Sequence, residues 1–242
     1  MLQSSHGVML KAVIFDLDGV VADSHPIHEA AWKTLLVEQG FDSPTLNLDF
    51  LYAGHPRREI LRHYLGPIET SEMERLGRRK DELYALAANQ LKAKPGIPRV
   101  LCELNQAGIL CALATSAGRA RTNESLKQLG ITKDFSVIVT GEDVIAAKPA
   151  PDIFLLAAGK LGVTEKESVV VEDSVAGLVA ARAAGMKCVG YALPRFAAEL
   201  AGAGANHVIS DFPEDAPRYF EELLSCNEPH AVSHIESRQP RG

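Results

Sequence analysis

The feature that most restricts this chain is an alternation that runs from about residue 97 to 209. Short, uninterrupted apolar runs at 109–114, 137–139, 168–171, 187–190 and 207–209 are separated by stretches with helical spacing at 97–106, 119–129, 151–161 and 175–184. A strand that is apolar on both faces must be covered on both faces, which is the condition of a parallel sheet between two layers of helices. One more run of this kind, 10–15, stands far upstream. The pattern predicts an α/β fold with a Rossmann-like parallel sheet.

The stretch between the first strand and the second has a different character. Residues 25–94 carry helical spacing only, at 27–39, 57–64 and 71–91, with many charges and no buried strand. A helical domain is therefore expected at 25–94, inserted into a core made of 8–24 and 95–224. Asp23-Ser24 and Lys94-Pro95-Gly96 are its expected hinges. Residues 225–242 are polar and aperiodic, and are expected to form a disordered tail.

Composition excludes several classes. With 31 acidic against 25 basic residues the net charge is −6, which argues against a nucleic-acid partner but leaves room for a locally positive pocket that takes a small anion. No apolar stretch reaches the roughly 18 residues of a membrane span. The segment Met1-Leu2-Gln3-Ser4-Ser5-His6-Gly7 lacks a signal peptide's charged flank and apolar run, so a cytoplasmic address is expected. Cys102, Cys111, Cys188 and Cys226 form no C-x-x-C pair, which argues against a disulfide framework or a zinc site. The first three have apolar neighbours and are expected in the core. Asn123-Glu124-Ser125 fits a glycosylation sequon but reads as a helix start. The oligomeric state is not written in these features, and a monomer satisfies them.

Four elements carry chemistry. Asp16-Leu17-Asp18-Gly19 closes the first strand, and residues i and i+2 of an extended segment face one side, at the edge where open α/β sheets bind ligands. Two carboxylates this close call for a compensating cation or a shared proton. One can serve as nucleophile and the other as proton carrier. Leu113-Ala114-Thr115-Ser116 places hydroxyls and backbone amides at the end of the second strand, where they can hold phosphate oxygens or simply cap a helix. Lys148-Pro149 offers a positive charge before the helix at 151. Val171-Glu172-Asp173 ends another strand with two more carboxylates, hard oxygen ligands that suit Mg²⁺. No G-x-G-x-x-G follows the first strand, and Gly202-Ala203-Gly204 comes too late, which argues against dinucleotide binding.

Together, Asp16-Leu17-Asp18-Gly19, Thr115, Lys148 and Glu172-Asp173 resemble the four motifs of the haloacid dehalogenase-like phosphotransferase superfamily, and the helical insertion resembles its first class of cap domain. The resemblance implies a Mg²⁺-dependent phosphohydrolase for a small phosphorylated metabolite. Asp16 would carry an aspartyl-phosphate and Asp18 would be the general acid/base. Thr115, the Ser116 amide and Lys148 would hold the phosphoryl group. Mg²⁺ would sit on Asp16, the Asp18 carbonyl and Asp173, with Glu172 near.

Within the superfamily the chain resembles the beta-phosphoglucomutase family at Ala22-Asp23-Ser24, His28, Trp32, Gly54-His55-Pro56-Arg57, Lys80 and Lys148-Pro149-Ala150-Pro151-Asp152-Ile153-Phe154. That likeness implies that Arg57 anchors the substrate's non-transferring phosphate, and that His28 and Lys80 couple cap closure to acid/base catalysis. Without it, His28 beside Trp32 reads as packing, and Arg57-Arg58 and Arg78-Arg79-Lys80 as solvated helix faces. His55, Pro56, Ile60 and Ala117-Gly118-Arg119 depart from the mutase pattern at positions that meet sugar or phosphate. The expectation is therefore a sugar-phosphate phosphatase, with a beta-phosphoglucomutase as the alternative.

Overall fold

The computed structural model describes residues 9–42, 44, 46–52 and 57–226. Six strands form one parallel sheet: β1 (Ala12–Phe15), β2 (Leu110–Thr115), β3 (Val137–Thr140), β4 (Ser168–Glu172), β5 (Lys187–Tyr191) and β6 (His207–Ile209), in the order β3-β2-β1-β4-β5-β6. β1 lies between β2 and β4, with Phe15 in register with Leu113 on one side and Val171 on the other. The chain winds outward from β1 to β3 and then returns to the opposite side of β1. That reversal opens a crevice at the carboxyl ends of the central strands. The predicted α/β class and parallel sheet are what the structure contains.

Alternation along each strand divides the core into two layers. Val13, Phe15, Val169 and Val171 face α5 (Ile97–Gln106), α6 (Arg119–Leu129) and α10 (Ala216–Ser225). Ile14 and Val170 face α7 (Asp152–Leu161) and α8 (Val175–Ala183). Each fully buried aliphatic side chain here contributes about 1.5–3 kcal/mol. The sheet is therefore the rigid part of the molecule, and its edge inherits that rigidity.

Among the described residues, the chain from His25 to Gln90 holds helices and no strand. These are α1 (His25–Glu38), α2 (Asp49–Tyr52), α3 (Arg57–Leu65) and α4 (Thr70–Ala87), followed by a 3₁₀ turn at Ala88–Gln90. They bury a cluster of their own around Trp32, Leu35, Ile60, Leu61 and Leu76. The two connections to the sheet run side by side. Asp23 N donates to Lys92 O at 2.8 Å, Lys94 N donates to Val21 O at 2.9 Å, and the Lys94 ammonium pairs with Asp23 at 2.9 Å.

Several expectations need correction. β1 begins at Ala12 rather than at residue 10, although Lys11 still bonds toward both neighbouring strands, its N–H donating to Glu167 O and its O accepting from Leu110 N, at 2.9 Å each. Cys102 is exposed, unlike buried Cys111 and Cys188. It falls off the α5 stripe of Ile97, Val100, Leu101 and Leu104 that faces the core. Asn123-Glu124-Ser125 lies inside α6 with Ser125 buried, so it is not a helix start. The helix expected at 71–91 ends at Ala87, its last residues tightening into the 3₁₀ turn. Helix α9 (Ala197–Gly202) and helix α10 were not foreseen, although Ala216, Phe220, Leu223 and Leu224 of α10 are buried at helical spacing. Gly54, His55, Pro56 and the tail from Asn227 lie outside the described residues.

Candidate active site

All four predicted acidic groups reach the same sheet edge. Asp16, Asp18, Glu172 and Asp173 line one cavity of about 260 Å³ together with Thr115, Ser116 and Lys148. Asp16 continues the ladder beyond β1, its N–H donating to Val171 O at 3.0 Å, so its position is set by the sheet. Lys148 is the hub. Its ammonium donates to Asp16 Oδ1 at 2.6 Å, to Glu172 Oε1 at 2.6 Å and to Ala114 O at 3.1 Å. Glu172 Oε2 in turn accepts from the Ser174 N–H and hydroxyl, at 2.9 Å each.

The clustering of carboxylates is met by the protein's own cations. Asp16 and Glu172 share Lys148, Asp173 pairs with His25 at 2.9 Å, and Asp18 is held by Arg121. Burial raises Asp16 well above the usual carboxylate range; Lys148 opposes this, while Glu172, Asp173 and Asp18 add to it. Burial likewise raises Asp173, against the pull of His25. For Lys148, burial lowers the ammonium, but Asp16 and Glu172 outweigh it and carry it above its ordinary value.

Gly19 makes this packing possible. Its φ of +78° suits glycine, and a Cβ there would lie 1.8 Å from Asp173 Oδ2. The turn after Asp18 can therefore press directly against the Asp173 carboxylate.

Asp18 faces away from Lys148, toward the helical insertion. Arg121 takes it in a two-point ion pair, Nη1 to Oδ1 at 3.0 Å and Nη2 to Oδ2 at 2.6 Å. His28 Nε2 reaches Asp18 Oδ1 at 3.4 Å, while His28 Nδ1 meets the Lys80 ammonium at 2.6 Å. Lys80 has only donors, so Nδ1 accepts and the Nε2–H points at the carboxylate. Burial pushes Asp18 up, but the charge of Arg121 and the bonds from His28 and Arg121 prevail and hold it well below the usual range. Burial lowers His28 despite Asp18. Burial, with Arg121 and Arg57 nearby, lowers Lys80 to about 8.

His28, His25, Trp32 and Ile60 come from the helical insertion and line the first cavity. His28 is thus a part of the site and not merely a packing neighbour of Trp32. Arg57 and Lys80 do not reach this cavity. They line an adjoining one of about 500 Å³ with Tyr84 and Arg121, and Asp18 and Ser116 stand on the boundary of both. Arg57 pairs there with Asp81 at 2.5 Å. Thr115 is buried and its Oγ1 accepts from Ala117 N at 3.1 Å, while Ser116 is exposed.

Sequence reasoning missed Arg121, Tyr84 and the ion pair of His25. Arg121 lies in the first turn of α6, where a lone arginine reads as a solvated helix face. Only the parallel register of β2 beside β1 brings it over Asp18.

Among the described residues, no three His, Cys, Asp or Glu side chains converge as a metal-binding set. The donors that fit a metal are two carboxylates, Asp16 and Asp173, with the Asp18 carbonyl between them in sequence. Both carboxylates are raised by burial and by acidic neighbours, the strain that a divalent cation relieves. So small an all-oxygen set suits Mg²⁺, which keeps several waters and binds substrate phosphate.

Comparison with known proteins gives the family. A family model described as haloacid dehalogenase-like hydrolase matches residues 13–191. The chain is 37% identical over 192 residues to the beta-phosphoglucomutase of Bacillus subtilis, covering 75% of this chain and 83% of that one. It is 34% identical over 234 residues to hexitol phosphatase A of Escherichia coli, covering 96% of each. Its fold superposes on the crystal structure of beta-phosphoglucomutase from Clostridium difficile with a TM-score of 0.73 at 27% identity, covering 89% of this chain and 97% of that one. Matched across most of its length, with its acidic residues gathered where the sheet reverses, the chain belongs to the haloacid dehalogenase-like hydrolase family.

Proposed function

We propose that this protein is a Mg²⁺-dependent phosphatase for a small sugar phosphate, working through a phosphoryl group carried on Asp16. The observation that carries this reading is the single cavity in which Asp16, Asp18, Lys148 and Thr115 meet beneath His28, Trp32 and Ile60. The carboxylate of Asp16 attacks phosphorus as the bond to the ester oxygen breaks, and Asp18, which must first leave Arg121 and take up a proton from solvent, gives that proton to the ester oxygen, releasing the alcohol. Asp18 then takes a proton from water, whose oxygen attacks the aspartyl-phosphate. Inorganic phosphate leaves and the Asp16 carboxylate returns. Lys148, the Thr115 hydroxyl and the Ser116 N–H hold the phosphoryl oxygens through both steps. Asp16, Asp173 and the Asp18 carbonyl would hold Mg²⁺, with Glu172 fixing Lys148 beside it; when bound, the ion supplies charge neutralisation and alignment.

Residues 25–94 act as a cap on a core formed by 8–24 and 95–224. The contact of His28 with Asp18, and of Lys80 with His28, supports this, since together they bring helices α1 and α4 to the proton carrier. Arg57, on the wall of the adjoining cavity, receives the part of the substrate that is not transferred. Hydrolysis is favoured over transfer to a second sugar hydroxyl because Ile60 puts a buried apolar side chain on the wall of the first cavity, and Ala117 and Gly118 offer no side-chain donors on the wall of the adjoining one. The alternative, a beta-phosphoglucomutase, is favoured by the 37% identity to one.

Beta-glucose 1-phosphate with a trace of the 1,6-bisphosphate separates the two. Inorganic phosphate is expected, and accumulation of glucose 6-phosphate in its place means a mutase. Asp16→Asn should abolish turnover without changing the fold, and EDTA should silence the native protein until Mg²⁺ is restored. A fully active Asp16→Asn protein refutes the covalent route.

A further inference from the structure

The pair of His25 with Asp173 takes no part in the chemistry above, yet it occupies an oxygen that the chemistry needs. A cation held by Asp16, Asp173 and the Asp18 carbonyl must reach Asp173 on the side that faces the Asp18–Gly19 turn. The oxygen on that side is Oδ2: it lies 1.8 Å from the point where a Cβ on Gly19 would stand, nearer than its own carboxyl carbon at 2.8 Å. His25 Nε2 meets this same oxygen at 2.9 Å. The imidazole comes to the same spot, its Cε1 2.7 Å from that point on the turn. A small, hard cation surrounds itself with oxygens and waters, and a ring pressed against the turn takes the room they require. His25 and a divalent cation therefore compete for Asp173.

The ring has somewhere to go. His25 and Asp173 line the first cavity and also a further one of about 420 Å³, which they share with Asp23, Pro26, Lys94 and Tyr191. A turn of the His25 side chain would carry the imidazole from one to the other without disturbing the sheet. The start of α1 does not fix it in place. Ser24, the N-cap, makes no side-chain bond to the helix, and its buried hydroxyl has no hydrogen-bond partner among the described residues. An N-cap serine ordinarily accepts from the N–H of the second or third helical residue. Pro26 holds the first of these places and has no N–H, which leaves the Ile27 N–H as the donor. A small shift of the first turn would make that bond, so the turn that carries His25 gains by rearranging.

We propose that His25 is a positioning residue that governs the loading of the divalent cation: it holds Asp173 Oδ2 against the ion and must release it, turning into the further cavity, for the site to fill. Loading is thereby tied to the first residue of α1, the helix that also brings His28 and Trp32 to the first cavity. The inference rests on the Mg²⁺ site of the reading above, and it adds the residue that the ion must displace.

Mg²⁺ alone is the probe, titrated calorimetrically into the native protein and into His25→Ala. The variant should bind Mg²⁺ more tightly, on the order of tenfold, the worth of a hydrogen bond to a charged acceptor. In the native protein the ring signals of His25, assigned by their loss from a long-range proton–nitrogen spectrum of His25→Ala, should shift as Mg²⁺ saturates. If His25→Ala does not fold, His25→Asn keeps a polar side chain that is shorter than histidine, and should tighten binding likewise.

Equal affinities overturn the competition and leave the Mg²⁺ site standing. Weaker binding by the variant does the same, since a histidine that merely orients Asp173 for the metal would give it. Ring signals that stay fixed at saturating Mg²⁺ also overturn the displacement. Binding of Mg²⁺ by neither protein overturns the Mg²⁺ site itself, and the competition with it.

Discussion

The sheet edge and the helical insertion both contribute charged groups to the site, but they hold them in opposite ways. At the sheet edge Lys148, Asp16 and Glu172 are at most 10% exposed and joined by bonds of 2.6 Å. In the insertion, Arg57 and Asp81 pair with their side chains 45% and 57% exposed, and Arg79 meets Glu38 and Glu82 on an open surface. A buried pair has no solvent to replace a lost partner, whereas an exposed pair exchanges its partner for water at little cost. The edge is therefore built to keep one arrangement, and the insertion to exchange partners when something binds.

The largest effect should come from breaking the edge. Lys148→Met removes the cation shared by Asp16 and Glu172 and should destabilise the fold by about 3–5 kcal/mol, as for other buried pairs that lose a partner. Denaturant unfolding would read it, and phosphate release should be lost as well. A stability within 1 kcal/mol of the native protein would mean that the edge is not held as tightly as the geometry says.

An intermediate effect should come from Lys80, the one buried insertion cation among the described residues. Its folded value of about 8 lies below its ordinary 10.5, so between these values the unfolded chain binds more protons than the folded one. The penalty for burying the charge is fully present below about pH 8 and is relieved as pH rises toward 10.5. Stability measured across that window should climb more steeply in the native protein than in Lys80→Met. Parallel curves would place the ammonium in contact with water.

The smallest effect should come from Arg57→Ala. The exposed pair with Asp81 is worth less than about 1 kcal/mol, so the melting temperature should hardly move. The KM for a bisphosphorylated substrate should rise while kcat changes less. A large fall in stability would erase the contrast between the two regions.

The same contrast explains what the sequence disclosed. Asp16, Thr115, Glu172 and Asp173 sit at or just past the ends of strands β1, β2 and β4, and apolar runs announce strand ends plainly. The order of the sheet then brings them together, so this part of the site was legible from motif and period. Arg121 and His25 act through partners that lie far along the chain, Asp18 at a separation of 103 residues in the first case and Asp173 in the second. No local pattern marks such a pair. Cys102 failed as a core residue for a related reason: apolar neighbours in sequence do not say which side of a helix a residue takes. Only the stripe through Ile97, Val100, Leu101 and Leu104 does that.

The paired connections at Val21–Asp23 and Lys92–Lys94 bear on how the two regions can move. Two separate linkers would let the helices swing, slide and twist independently. Here the backbone bonds tie both strands into a narrow ribbon, and the Asp23–Lys94 ion pair fastens its edge. A ribbon folds readily across its flat face and resists shear along its length, because shear would break the bonds between its two strands. Such a ribbon would reduce any motion of the proposed cap from several directions to one, like a door on its pin. Were the helices to swing as a cap, His28 would return to the same place over Asp18 without any contact at the site having to find it anew.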